Sequence, residues 1–242
     1  SVIGGERDDP RRVYRLSILR EEPACELALV PRRDDPTSMN VPRGGRAIAD
    51  IVAFRRRGLT GSIRLSAQNL PAGIDCPDVW LGPGVDRAPL VVTASRSAES
   101  FSGNLQLQGH AAGGVRTVVG TTIVRKGVPT GWSRLTDQIG LSIAGESSIR
   151  LTADAHQPRR HDLFGELKAR HAPGTMVDIF VRVERQEIDH QAPVVLRGVG
   201  LPDLIPNQKA MIPAGQSVGH ISFYLSPAMP VGKYTIVVQG ET

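Results

Sequence analysis

The chain has 242 residues, 40% hydrophobic but only 4% aromatic, with a net charge of +5. That length fits one large or two ordinary domains, each able to bury a core without metals or disulfides. Scarce aromatics argue against a platform for stacked bases, so no nucleic-acid partner is expected, and no apolar run reaches the 18 residues of a membrane-crossing helix. The 26 glycines and 18 prolines suit short strands joined by tight turns. The basic excess falls within residues 51–130, nine basic against four acidic groups, and reads as a solvated strand face.

In chain order, residues 1–12 are polar, and Val13-Tyr14-Arg15-Leu16-Ser17-Ile18 alternates apolar and polar side chains as a strand does. Residues 1–23 therefore read as the tail strand of a preceding β domain plus a linker. A first module spans 24–126. Its expected strands lie at 25–30, 47–54, 63–67, near 79–81, and at 90–94, 104–108 and 115–124. About seven strands with a turn every 8–12 residues indicate an antiparallel β-sandwich. Residues 127–146 read as a linker carrying Gly131-Trp132. A second module, 147–242, opens with a strand at Ile149-Arg150-Leu151-Thr152-Ala153, and 163–169 is expected as an edge strand.

The two modules read as copies. Leu70-Pro71-Ala72-Gly73-Ile74 recurs as Leu201-Pro202-Asp203-Leu204-Ile205, Gly82-Pro83-Gly84 as Pro213-Ala214-Gly215, and Gln108-Gly109 as Gln239-Gly240, all at an offset of 131. Residues 177–183 match the 47–54 strand at an offset near 129. A one-residue slip swaps the two faces of a strand, so matched positions should point the same way. This assigns Val52, Phe54, Ile63, Leu65, Leu90, Val92, Leu105 and Leu107 to the first core. Their counterparts are Val181, Val183, Val194, Leu196, Ile221, Phe223, Ile236 and Val238. Asp50 falls on the inward face in this register.

Pro42-Arg43-Gly44-Gly45, an apolar strand ending at Arg55-Arg56-Arg57, Gly61-Ser62-Ile63-Arg64-Leu65, Leu70-Pro71-Ala72-Gly73 and Gly82-Pro83-Gly84 together make a pattern. It resembles the immunoglobulin-like modules repeated in very large secreted or cell-surface proteins of planctomycete-type bacteria. The 13–18 strand is similar to the last strand of pre-peptidase C-terminal domains that precede such modules. The resemblance covers about 24–126 and 147–242 and implies two tandem immunoglobulin-like sandwiches, an export context, and a spacer, adhesion or assembly role. It supplies no catalytic residues. The second copy departs from it by lacking the glycine after Leu201-Pro202-Asp203.

No constellation names a reaction: Gly-x-Ser-x-Gly is absent, so no enzyme and no resident cofactor are expected. Asp154, His156, His161, Asp162, Glu166 and His171 form the densest polar cluster but match no zinc spacing and read as a solvated loop. Candidate calcium ligands are Asp8-Asp9, Asp34-Asp35 and Asp189, hard oxygens in loops near module ends. Cys25 and Cys76 are either a disulfide of an exported protein or two buried free thiols. Trp80 reads as a half-buried sandwich residue rather than a sugar platform, and Trp132 as packing between modules.

Adding 131 to the 115–124 strand leads to 246–255, past Thr242. The second module is therefore expected to lack its last strand, leaving Thr235, Ile236, Val237, Val238 and Gln239 as an unpaired edge. Two readings account for this: a fragment of a longer chain, or a strand added from a neighbouring molecule, with residues 13–18 of the next copy as its source. The expected role is a non-catalytic structural, assembly or adhesion module of a secreted or cell-surface protein, with neighbouring domains or copies as partners. The alternative is a module that recognises surface carbohydrate or protein.

Overall fold

The computed structural model describes residues 22–31, 38–121, 135–147, 149–154, 171–185 and 191–242. All regular structure in them is β-strand. The strands of the first module are β1 (Ala24–Pro31), β2 (Ser38–Arg43), β3 (Arg46–Arg56), β4 (Ile63–Gln68), β5 (Ile74–Asp75), β6 (Val79–Leu81), β7 (Arg87–Ala94), β8 (Phe101–Asn104), β9 (Gln106–Ala111), β10 (Gly114–Thr121), β11 (Leu135–Thr136) and β12 (Gly140–Glu146).

One layer runs β5-β7-β3-β1 and the facing layer β9-β4-β6. Strand β10 joins them by changing partners along its length. Gly114 to Thr117 pair antiparallel with β9, and Val118 to Gly120 pair parallel with β1. A third sheet, β2-β12-β8, contributes Met39, Val41, Leu141 and Ile143 to the same core. The sandwich is antiparallel except for the β1–β10 and β2–β12 pairs.

Two expectations need correction. The stretch 127–146 is not simply a linker, because β11 pairs with β10 and β12 lies between β2 and β8. Leu141 and Ile143 are buried while Ser142 is half-buried and Ala144 exposed, the alternation of a strand with one face in a core. Pairing with β12 also satisfies backbone groups on β2 and β8 that would otherwise form open edges. The second correction concerns β3. Its core face carries Ala49, Ile51 and Ala53, whereas Val52 is half-buried and Phe54 is 52% exposed. Asp50 lies on the face opposite Ala49 and Ile51, buried and 3.6 Å from the Arg87 guanidinium.

The pairing register explains the exchange of faces. Ala49 pairs with Leu90, and Ile179 pairs with Ile221. The strand therefore repeats at 130, not 129, and the slip exchanged its faces.

The second module comprises β13 (Ile149–Asp154), β14 (Met176–Arg185), β15 (Val194–Val199), β16 (Lys209–Ile212), β17 (Val218–Tyr224) and β18 (Val237–Glu241). Its sheets are β13-β14-β17 and β16-β15-β18, which repeat β1-β3-β7 and β6-β4-β9. Leu65 opposite Gly109 recurs as Leu196 opposite Gly240. Turn bonds recur as well: Gly84 N–H to Thr60 O at 3.2 Å matches Gly215 N–H to Gln191 O at 3.2 Å. Gly84 and Gly215 both hold left-handed backbone, as a turn ending in glycine requires. The arginine that ends the long strand also repeats. Arg55 donates to the Gly61 and Val85 carbonyls at 2.6 and 2.9 Å. Arg185 donates to the equivalent Ala192 and Gln216 carbonyls at 2.8 and 3.2 Å. Each stitches the end of its strand to two turns.

Candidate functional site

Two features distinguish the surface: a seam where the modules touch, and an open place in the second module. The seam is built on the Gly82–Val85 turn. Arg55 shapes this turn from beneath, donating to Gly82 O at 3.0 Å and to Val85 O, with Asp86 accepting from its Nε at 2.9 Å. The Arg55 side chain is 10% exposed, so these carbonyls meet a guanidinium largely withdrawn from water. On the turn rests the ring of Tyr234, so close to Gly82 that any Cβ there would enter the ring. Tyr234 Oη donates to Pro230 O at 2.7 Å, and burial raises the phenol above its ordinary value.

Next to it, Thr235 pairs with the outer edge of β6. Its N–H donates to Trp80 O at 3.1 Å, and Trp80 N–H donates to Thr235 Oγ1 at 2.8 Å. The Lys233 ammonium lies 4.4 Å from the Trp80 ring centroid, a cation–π contact. Trp80 is half-buried as expected, and the lysine covers its face. Elsewhere the Arg46 guanidinium bonds the Leu151 carbonyl, and Ser147 N–H donates to Arg43 O at 3.1 Å. Burial, and then Arg150, lower the Arg46 guanidinium from its ordinary value, while Asp75 opposes them.

The Gly82–Val85 turn and the Leu201-Pro202-Asp203 turn face each other across a cleft of about 680 Å³ that Tyr234 and Met229 also line. Leu204, where the first copy has Gly73, is 43% exposed and lines it too. The second copy's departure from the repeat thus lies at this cleft.

The open place lies between β13 and β18. In the first module β10 fills the space between β1 and β9. Among the described residues, β13 pairs only with β14, and β18 only with β15. The two edges nevertheless hold the first module's geometry: Leu27 packs on Gly109, and Leu151 packs on Gly240. The difference is cover. Leu27, Ala28 and Leu29 are 2%, 3% and 1% exposed, whereas Leu151 is half-buried and Thr152 and Ala153 are exposed. Leu105 and Leu107 are buried, while their counterparts Ile236 and Val238 are half-buried. The edge expected at 235–239 is therefore corrected in part. Thr235 is engaged by Trp80, Ile236 lies before the strand, and Val237, Val238 and Gln239 pair on one side with Val199, Gly198 and Arg197.

Cys25 and Cys76 are free thiols, both buried. The candidate disulfide is not formed, because β3 and β7 lie between β1 and β5. Three inter-strand spacings put the two about 14 Å apart across the sheet, beyond the roughly 7 Å a disulfide spans. Burial raises both thiols above their ordinary value: Cys25 against the opposing pull of Arg116 and Arg55, and Cys76 to about 12 with Asp75 and Asp78 adding to the rise.

Among the described residues no group of three or more histidine, cysteine or acidic side chains is placed to hold a metal. Asp8, Asp9, Asp34, Asp35, Asp189, His156, His161, Asp162, Glu166, Trp132, and the 13–18 and 163–169 strands lie outside the described residues. Sequence reasoning singled out Thr235 only as part of an open edge and missed Tyr234, Gly82 and Lys233 at the seam. Its signals were a glycine before Pro83 with no glycine at the matching Pro213, and a tyrosine and threonine at 234–235 where the first copy has Gly103 and Asn104.

No protein-family model matches the chain, and no curated protein matches it significantly. Among solved structures, a protein of unknown function from Porphyromonas gingivalis W83 aligns with 11% identity and a TM-score of 0.25, over 83% of each chain. A mutant Salmonella alpha-2-macroglobulin aligns with 11% identity and a TM-score of 0.25, over 87% of this chain and 16% of its own. Likenesses this distant carry no functional argument.

Proposed function

We propose that this chain is a non-catalytic structural module, two immunoglobulin-like beads that act as spacer, assembly or adhesion elements of a larger secreted or cell-surface protein. The observation that supports it is the seam. A tyrosine ring seated on a glycine, a one-residue extension of the β6 edge by Thr235, and a buried arginine bracing the turn between them all serve to fix one bead against the next. A spacer needs that fixity, since domains joined by small contacts otherwise move freely. The export context rests on the motif resemblance.

The test is the distribution of distances between spin labels on Arg96 and Lys209, one in each module. A single narrow distance is expected, broadened by Gly82→Leu, which expels the Tyr234 ring. A broad distribution in the unaltered protein would remove the support for a rigid spacer. A second reading, recognition of carbohydrate or protein, draws on the cleft beside Tyr234. Saturable binding of a surface glycan that Tyr234→Ala and Asp203→Ala both abolish would favour it.

A further inference from the structure

We propose that the flank of the first module, made by the outer face of β3 and β7 and the Gly82–Pro83 turn, is a docking surface that fits a module of the second kind and not a copy of the first. Three glycines, Gly82, Gly200 and Gly232, set the fit, and docking couples the unfolding of the two modules. This goes beyond the spacer reading, because it concerns which module can dock rather than whether the pair is rigid.

The seam follows the length of β7. At one end Arg46, which faces Thr93 across β3 and β7, bonds the Leu151 carbonyl. In the middle Gly200 rests on Pro89, where a Cβ on the glycine would stand 2.6 Å from Pro89 Cδ. Beyond Arg87, Gly232 meets Pro83, where a Cβ would stand 2.5 Å from Pro83 Cδ, and Tyr234 lies on Gly82. The strand from Arg87 to Thr93 spans about 20 Å, so the modules lie flank to flank. Pro89 and its cross-strand partner Asp50 point away from the first core, yet both are buried. Their counterparts His220 and Phe180, paired in the same way, are exposed. A module's own strands therefore do not bury these two positions, and the second module covers them in the first.

The two copies separate what docking needs from what folding needs. Each seam glycine has a larger residue at the matching place of the other copy: Gly82 corresponds to Pro213, Gly200 to Asn69 and Gly232 to Phe101. The turn before each Leu-Pro pair shows the separation most clearly. Asn69 and Gly200 both hold left-handed backbone, with φ of 51° and 64°. Asparagine tolerates that conformation, so the turn itself does not require glycine. Pro89 requires it, because its ring fills the space a side chain would take. A module carrying Asn69 and Phe101 in these places would drive one side chain into Pro89 and another into Pro83. Close-packed contacts leave no room for such overlap, so a steric block against the wrong copy supplies the specificity. Each folded module is in turn a ligand for the other. Contacts made only by the folded state stabilise it, which ties the two unfolding events together.

Scanning calorimetry of the 242-residue chain tests this. The unaltered protein should unfold in one transition, with equal calorimetric and van't Hoff enthalpies. Gly200→Asn, which installs the residue the first copy holds in the same left-handed turn, should split it into two. Gly232→Ala should do the same. Adding Pro83→Ala to Gly232→Ala removes the ring atoms in the way and should restore the single transition. A glycine needed only by the second module's own turn would show no such rescue. The mirror change Asn69→Gly should leave one transition. Two transitions in the unaltered chain, or one that survives Gly200→Asn and Gly232→Ala together, would overturn the proposal. The distances between labels on Arg96 and Lys209 report separately on the spacer reading. A broad distribution beside a single transition would remove the rigid spacer and keep the docking specificity. A narrow one that Gly200→Asn and Gly232→Ala leave unchanged would keep the spacer and overturn the proposal.

Discussion

Among the described residues, the first module's outer strands are covered by closing strands and those of the second are not, although both follow one repeat. In the first, β10 closes the wrapped sheet and β12 closes the end sheet, and the apolar residues of β1 and β9 are buried as a result. In the second, the equivalent positions on β13 and β18 remain half-buried or exposed. The comparison separates two contributions to a sandwich core. Residues on β4, β7 and their counterparts β15 and β17 are buried in both modules, because the facing layer alone covers them. Residues at the ends of the layers depend on the closing strands.

The largest effect should follow from removing a closing strand. Deleting residues 135–147, expected from sequence to be a linker, should abolish cooperative thermal unfolding of the first module. Ile143→Ala alone should cost about 4 kcal/mol in denaturant unfolding. If both variants unfold like the parent, β12 does not belong to the first core.

Alkaline pH should also discriminate between the modules. The Cys76 thiol is pushed from 9.0 to about 12 in the folded protein. Between those values the unfolded chain binds fewer protons, so stability falls as pH rises. The contribution is fully present below pH 9 and lost above about pH 12, up to about 4 kcal/mol in all. Asn207 occupies the equivalent place in the second module, so the first module should carry this loss. Cys76→Val should flatten the decline, and an unchanged slope would show that the thiol is not its source.

The repeated arginines offer a smaller contrast. Arg55 has four acceptors, including Asp86, and Arg55→Ala should cost about 2 kcal/mol by leaving the part-buried Gly82 and Val85 carbonyls unsatisfied. Arg185→Ala, in the more exposed setting, should cost about 1 kcal/mol. Smallest of all, Val238→Ala should cost about 1 kcal/mol against about 3 kcal/mol for Leu107→Ala. Equal costs for the last pair would mean that β18 is as well covered as β9.

Much of the fold was legible because turns repeat with their chemistry. Leu-Pro pairs, the glycines at 84 and 215, and the left-handed residues Asn69 and Gly200 mark equivalent turns at the same offset. The face of β3 was not legible, because Ala47, Ile48, Ala49, Ile51, Val52 and Ala53 are apolar on both sides and two of the three inward residues are alanines. Period two is invisible in such a strand. Strand β12 was missed because it comes after the repeat unit has ended, where the offset offers no guide. The seating of Tyr234 on Gly82 could not be read, since the two come from different copies and nothing in a repeat says which turns will meet. The pairing of 237–239 with β15 and the engagement of Thr235 by Trp80 were not legible either.

Amide hydrogen exchange tests the contrast between the modules most directly. Leu27 to Leu29 and Gln108 to His110 should exchange only with global unfolding of the first module, while Leu151 to Ala153 and Gln239 to Glu241 exchange orders of magnitude faster through local opening. Equal protection of the two sets would contradict an open second module.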